Sequence, residues 1–181
     1  MVELKIVNVV ATARVCDKLN LADVLLKIKN AHKGKNGFSG IIYKRGKASV
    51  IVFKSGKVAC TGALTTRGAK MAINYLISDL KNIGVKINDD INFNISNVVM
   101  SGELKSRINL YKLLLALGHD RIEYDPEQFP AAVYKVRDPK SVILIFSNGK
   151  LVATGSPSAK ILQSNVDMLN DELNELGMVG P

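Results

Sequence analysis

Along the chain the apolar positions change period in a fixed order. "ELKIVNVVATARV" (Glu3–Val15) is dense in Val and Ile and predicts a strand. "NLADVLLKIKNAH" (Asn20–His32) predicts a short helix, with Asn20 as N-cap and Asp23 three residues later. Short strands follow, broken at the turn-forming "RGK" and "KSGK". A longer amphipathic helix closes the series in "TTRGAKMAINYLISDLKNIG", where Ala72, Leu76, Ile77 and Leu80 fall at helical spacing.

The same order then returns. "IVNVV" (Ile6–Val10) reappears as "ISNVV" (Ile95–Val99), an offset of 89. Phe38 and Tyr43-Lys44 reappear as Phe129 and Tyr134-Lys135 at an offset of 91, and "FKSGKVACTG" (Phe53–Gly62) as "FSNGKLVATG" (Phe146–Gly155) at 93. "NLYKLLLALG" matches the first short helix, with Gly118 as a left-handed stop. The turns "RDPK" and "SNGK" match the first copy's turns. The last helix runs from about Ser158 to Leu176, with Ile161, Val166, Leu169 and Leu173 on one stripe and Gly177 beyond. A unit of about 90 residues is too long for a solenoid repeat. The chain reads as two copies of one half-domain, 1–90 and 91–181, joined near "VKINDD" (Val85–Asp90) and intertwined as a single domain.

Four of the five phenylalanines stand in two matching pairs, Phe38 with Phe53 and Phe129 with Phe146. Directly opposed residues of an antiparallel hairpin have a constant index sum. Opposed phenylalanines centre the turns between Arg45 and Gly46 and between Arg137 and Asp138, with the first hairpin one cross-strand pair shorter. Aromatic pairs of this kind often only stabilise a sheet. Here "SVIVF" and "SVILIF" are apolar on both faces. One face can pack under helices; the other must meet a second sheet, a partner or a ligand.

Charge adds a polarity. The net charge of +9 makes a polyanionic partner plausible. Residues 1–90 hold 16 Lys/Arg against 6 Asp/Glu, and residues 91–181 hold 9 against 10, so one end is basic and the other nearly neutral. No apolar run reaches membrane-span length, and "MVELKIVNVV" does not have the pattern of a signal peptide. Cys16 and Cys60 lack CxxC spacing, which fits two free thiols in a reducing compartment. No HExxH, GxSxG or phosphate-binding loop appears, and His32 and His119 lie in dissimilar contexts, so an enzyme is not expected. No cofactor and no metal are expected.

The two "NVV" strands, the phenylalanine pairs, the "FKSGKVACTG"/"FSNGKLVATG" segments and above all "EYDPEQFPAAVYKVRDPK" (Glu123–Lys140) carry a resemblance to the TATA-binding protein family over nearly the whole length. The resemblance implies an α+β, pseudo-symmetric saddle: a curved antiparallel sheet of ten strands, five per copy, with four helices on its convex face. It implies a general transcription initiation factor that binds and bends A·T-rich promoter DNA through the minor groove, as this family is known to do. Phe38, Phe53, Phe129 and Phe146 would be wedges at the outer base steps. Asn8 and Asn97 would donate to minor-groove acceptors. Val10, Val99, Ile51, Leu144, Ala59 and Val152 would form an apolar floor that leaves no place for a guanine amino group. Thr61 and Thr154 would add hydroxyl contacts, and Lys44, Lys47, Lys57, Lys135 and Lys150 would meet phosphates.

The family's lead-in to the first wedge survives in the second copy as "YDPEQFP" (Tyr124–Pro130). The first copy has "HKGKNGFSG" (His32–Gly40) instead, without Tyr or Pro and with the flexible glycines Gly34 and Gly37. By the resemblance, Glu123, Asp125, Glu127 and Gln128 of the second loop would dock transcription factor B. The basic first copy, with Arg67, Lys70 and Lys81 on its long helix, is left for flanking DNA, other initiation factors or regulators. Two other readings stay open: a divergent paralogue acting mainly as a protein scaffold, and a tandem single-stranded nucleic-acid module stacking bases on sheet aromatics. The expected location is an archaeal cytoplasm, with a nucleus as the alternative.

Overall fold

The computed structural model describes residues 1–35 and 37–179. Its elements follow the twice-repeated order. They are β1 (Leu4–Arg14), α1 (Leu21–Lys27), β2 (Ala31–Lys33), β3 (Ile41–Arg45), β4 (Ala48–Val52), β5 (Lys57–Ala63) and α2 (Thr66–Asn82), then β6 (Asn94–Glu103), α3 (Leu110–Leu117), β7 (Ile122–Glu123), β8 (Ala131–Val136), β9 (Ser141–Phe146), β10 (Lys150–Ser156) and α4 (Ala159–Glu175). The strands form one sheet in the order β2-β3-β4-β5-β1-β6-β10-β9-β8-β7. Two compact units divide the chain, one of Asn8–Ser96 and one of Met1–Val7 with Asn97–Pro181. No described helix is long and apolar enough to cross a membrane.

Alternation along the strands separates two faces. In β1, Val9, Ala11 and Ala13 are buried, while Asn8, Val10 and Thr12 are half-buried. Val50, Val52, Val58 and Cys60 extend the buried face across β4 and β5, and α2 packs on these two strands. The helix contributes Ala69, Ala72, Ile73, Leu76, Ile77 and Leu80. Full burial of a leucine such as Leu76 or Leu80 is worth about 1.5–3 kcal/mol over exposure. In the other unit α4 packs on β9 and β10 in the same way. Its stripe is Leu162, Asn165, Val166, Leu169 and Leu173, so Leu162 replaces the expected Ile161, which is only half-buried. Asn165, where the first copy has Ala72, is a buried polar residue in the stripe. Its amide donates to Pro139 O at 2.9 Å and Ser141 Oγ at 2.8 Å, tying α4 to the β8–β9 turn.

Both short helices begin at an asparagine cap, the first at Asn20 as its sequence predicts. Asn20 accepts from the Ala22 N–H at 3.1 Å, and its own amide donates to Asp23 at 3.1 Å. Asn109 accepts from the Lys112 N–H at 3.0 Å. Gly118 does end α3 at positive φ (77°), but its ψ of 156° is extended rather than left-handed helical, because the chain turns at once toward β7. Both cysteines are buried and unbridged, and burial pushes the Cys60 thiol up to about 11, away from reactivity.

Hairpin register corrects the index-sum argument. Ile41 pairs with Val52 and Arg45 with Ala48, so the turn centres between Gly46 and Lys47, with Gly46 at φ 59°. Ala131 pairs with Phe146 and Val136 with Ser141, which centres the second turn between Asp138 and Pro139. Phe129 therefore lies two residues from the position opposite Phe146, and Phe38 two from the one that extends opposite Phe53. Two residues is one full pleat, so each pair keeps its shared face and meets diagonally. The second hairpin does have the extra cross-strand pair, six against five.

Candidate nucleic-acid interface

On the face away from the core, register lines up rows of half-buried side chains. Ile42 pairs with Ile51, Ile51 with Ala59, and Ala59 with Thr12. In the other unit Val133 pairs with Leu144, Leu144 with Val152, and Val152 with Ser101. Ile51, Ala59, Leu144 and Val152 are where the sequence expects an apolar floor. Ile42 and Val133 widen it, a contribution that only the pairing reveals. Val10 and Val99 are half-buried on the same alternation.

A polar constellation interrupts this floor once per copy. Asn8 Oδ1 accepts from the Gly62 N–H at 2.7 Å, and Asn97 Oδ1 accepts from the Gly155 N–H at 3.0 Å. Asn8 Nδ2 donates to Thr61 Oγ1 at 3.1 Å, and Asn97 Nδ2 donates to Thr154 Oγ1 at 3.0 Å. The backbone N–H fixes which way each amide points, since only its oxygen can accept. The threonine O–H in turn lies within reach of the amide oxygen, at 3.3 Å for Thr61 and 3.4 Å for Thr154. One amide N–H of each asparagine remains as a donor to offer outward. The minor-groove edge of an A·T pair offers only acceptors, A N3 and T O2.

Glycine makes the constellation possible. The β1–β5 register shifts between Val9 and Ala11, and the β10–β6 register between Ala153 and Ser156. Gly62 and Gly155 sit in these irregularities at φ 81° and 87°, turning their N–H groups to the asparagines. The "TG" shared by both copies carries this device, and its role is invisible without the register.

Phenylalanines flank both floors. Phe38 and Phe53 have ring centroids 6.2 Å apart at 56°, and Phe129 and Phe146 are 6.3 Å apart at 61°. Phe38 is 38% and Phe129 44% exposed, large apolar surface with no role in the core. In the first lead-in loop, glycines lie directly against Phe38. A Cβ on Gly34 would lie 2.3 Å from the Phe38 ring, and one on Gly40 would lie 2.9 Å from it. These two glycines seat the ring, whereas Gly37, at φ 76°, has open space around it. Asn36 in the same loop lies outside the described residues.

Of the expected phosphate-binding lysines, Lys44, Lys47, Lys57 and Lys150 are exposed without an ion pair among the described residues. Lys44 lies in the row with Ser49 and Thr61, and Lys47 in the β3–β4 turn. Lys135 differs, because its ammonium pairs with the Glu123 carboxylate. That engages one expected phosphate contact and one expected docking carboxylate with each other, although both are half-exposed and the pair is weak. Asp125 is also occupied, accepting from the Glu127 N–H at 3.1 Å and from Gln128 Nε2 at 2.7 Å. It shapes the loop, leaving Glu127 as the carboxylate there without a side-chain bond among the described residues. No group of His, Cys, Asp or Glu among the described residues could hold a metal ion.

Comparison with known proteins agrees with this duplicated arrangement. The family model described as "Transcription factor TFIID (or TATA-binding protein, TBP)" matches residues 3–83 and again 92–176. The TATA-box-binding protein of Methanothrix thermoacetophila is 38% identical over 97% of this chain and 98% of its own length. That of Archaeoglobus fulgidus is 36% identical, with 98% of each covered. The solved structure of the Methanococcus jannaschii TBP superposes with a TM-score of 0.83 at 35% identity, covering 96% of this chain and 99% of that one. Matched along both repeats in sequence and across nearly its whole length in structure, the chain belongs to the TATA-binding protein family.

Proposed function

We propose that this chain is a general transcription initiation factor that binds A·T-rich promoter DNA in the minor groove, bends it, and recruits transcription factor B. One observation carries the reading: a donor-presenting Asn–Thr pair occurs twice on an apolar, half-exposed sheet face, and each floor is flanked by a phenylalanine pair. Apolar floor excludes the guanine amino group, donors meet A·T acceptors, and paired rings enter a base step. Unstacking costs energy at each step, which contact along the bent groove offsets. Lys44, Lys47, Lys57 and Lys150 supply phosphate contacts that make the affinity depend on salt. Glu127, exposed on the loop that Asp125 organises, is the residue to meet a basic surface of transcription factor B. Its absence from the first copy's loop gives the assembly a direction. The proposed setting is an archaeal cytoplasm.

The test combines affinity and bend, using an end-labelled A·T-rich duplex beside a G·C-rich duplex and a single strand. Selective, tight binding of the first with a rise in end-to-end energy transfer is expected. Binding indifferent to sequence, or preference for the single strand, would mean the face serves another ligand. Glu127→Arg should leave this binding intact and weaken transcription factor B recruitment; lost DNA binding would show the loop is misassigned.

A further inference from the structure

Beside Phe53 the sheet holds a charge pair that a merely structural design would avoid. Arg14, the last residue of β1, lies directly opposite Lys57, the first of β5. Both are exposed, and neither has a carboxylate within ion-pairing distance among the described residues. Like charges opposed across strands destabilise a sheet. The repeat supplies the control, because the equivalent pair in the second copy is Glu103 opposite Lys150, of opposite sign.

Their position points to the use. Arg14 follows Asn8, Val10 and Thr12 at alternate places in β1, and Lys57 precedes Ala59 and Thr61 in β5, so both cations share the face of the donors and the floor. They line one depression with Phe53, Thr12, Asn92 and Asn94. Among the described residues one guanidinium bond is occupied, a 3.3 Å contact to Ser55 O, which leaves a fork of donors suited to phosphate oxygens. The matching depression beside Phe146 sets Lys5 and Lys150 against Glu3 and Glu103, so its charges balance.

We infer that Arg14 and Lys57 form a phosphate clamp on the duplex backbone at the Phe53 end, with no equal at the Phe146 end. This rests on the DNA-binding reading above and deepens it. An anion between two opposed cations relieves their repulsion, so the free protein is held in a frustrated state that binding resolves. The Phe53 end therefore grips the backbone more firmly, and on an asymmetric site the two ends are not interchangeable. In the sequence the signal is small: position 14 and its copy at 103 differ in charge, a few residues after the shared "NVV".

The experiment measures affinity for the A·T-rich duplex between 50 and 200 mM salt, for the native chain, Arg14→Glu and Glu103→Arg. One phosphate contact contributes about 0.9 to the slope of log affinity against log salt, or about three- to fourfold over this range. Arg14→Glu should lower the magnitude of the slope by about that amount or more, and Glu103→Arg should raise it. Arg14→Glu also recreates the second copy's Glu–Lys pair, so the Tm without DNA should not fall, which checks folding. Slopes unchanged in both variants, with duplex binding intact, would overturn the clamp alone. A native chain that fails to bind duplex in a salt-dependent way would overturn the DNA reading and the clamp with it.

Discussion

The two copies present nearly the same surface and support it differently. Each places an asparagine, a threonine and a positive-φ glycine together, and each holds its phenylalanines about 6 Å apart. Behind that surface they diverge. Tyr43 of the first copy donates to Asp79 at 2.7 Å, while its counterpart Tyr134 sits against Arg121, which forms a two-pronged 2.6 Å pair with Glu172. The three described ion pairs all lie in the unit of Met1–Val7 and Asn97–Pro181, and none within Asn8–Ser96, which holds 15 Lys/Arg against 5 Asp/Glu. The asparagine, threonine and ring geometry is kept twice over, whereas the charge is not. Under the proposed function the shared features serve recognition and the unshared charge serves direction.

The largest expected effect is on bending. Phe38→Ala with Phe53→Ala, and separately Phe129→Ala with Phe146→Ala, should each remove one kink and cut the energy-transfer change by about half. Similar losses would show that the glycine-seated ring of the first copy works as well as the "YDPEQFP" ring of the second. A bend unchanged by both double variants would remove the wedge role altogether. A full loss from one pair and none from the other would make the copies unequal partners.

The glycines of the two constellations should break the symmetry in stability. A Cβ at Gly62 would lie 2.5 Å from the Lys47 carbonyl oxygen, whereas one at Gly155 would meet nothing closer than 3.5 Å. Gly155→Ala therefore bears only the cost of positive φ, about 1–2 kcal/mol. Gly62→Ala adds a backbone clash and should cost about 3 kcal/mol or more, in the range reserved for strained substitutions. Denaturant unfolding of both variants checks the difference. Equal losses would mean the β3–β4 turn yields more easily than its contact with Gly62 implies.

Much of this architecture was readable from the chain, for reasons that also mark where reading stops. The repeat, the cap at Asn20, and the extra pair in the second hairpin all depend on local periods, which one strand or helix carries by itself. Register depends on the turn, and both phenylalanine pairs were displaced by the same two residues because Gly46-Lys47 and Arg137–Lys140 set the centres. Alternation still kept the rings on the correct face. Gly34 reads as flexibility in a sequence, yet its meaning is the missing Cβ beneath Phe38. Likewise, no spacing rule separates Lys135 from the other lysines; its pairing with Glu123 exists only once β7 lies beside β8.

The smallest effect concerns the first copy's anchor between sheet and helix. Burial, then the bond to Asp79, push the Tyr43 phenol up to about 12 from its usual 10. The unfolded chain gives up this proton near pH 10, while the folded one keeps it to about 12. Between those values the unfolded state binds fewer protons, so stability falls as pH rises. The contribution is complete below pH 10 and lost by about pH 12, worth at most about 3 kcal/mol. Lysines titrate in the same window, so the informative quantity is the difference between native protein and Tyr43→Phe. The variant should be less stable at pH 8, through loss of the bond to Asp79, and should lose less stability from pH 10 to 12. Parallel curves would mean that β3 and α2 separate enough in alkali for the phenolate to reach water, and that the first copy is held by its apolar packing alone.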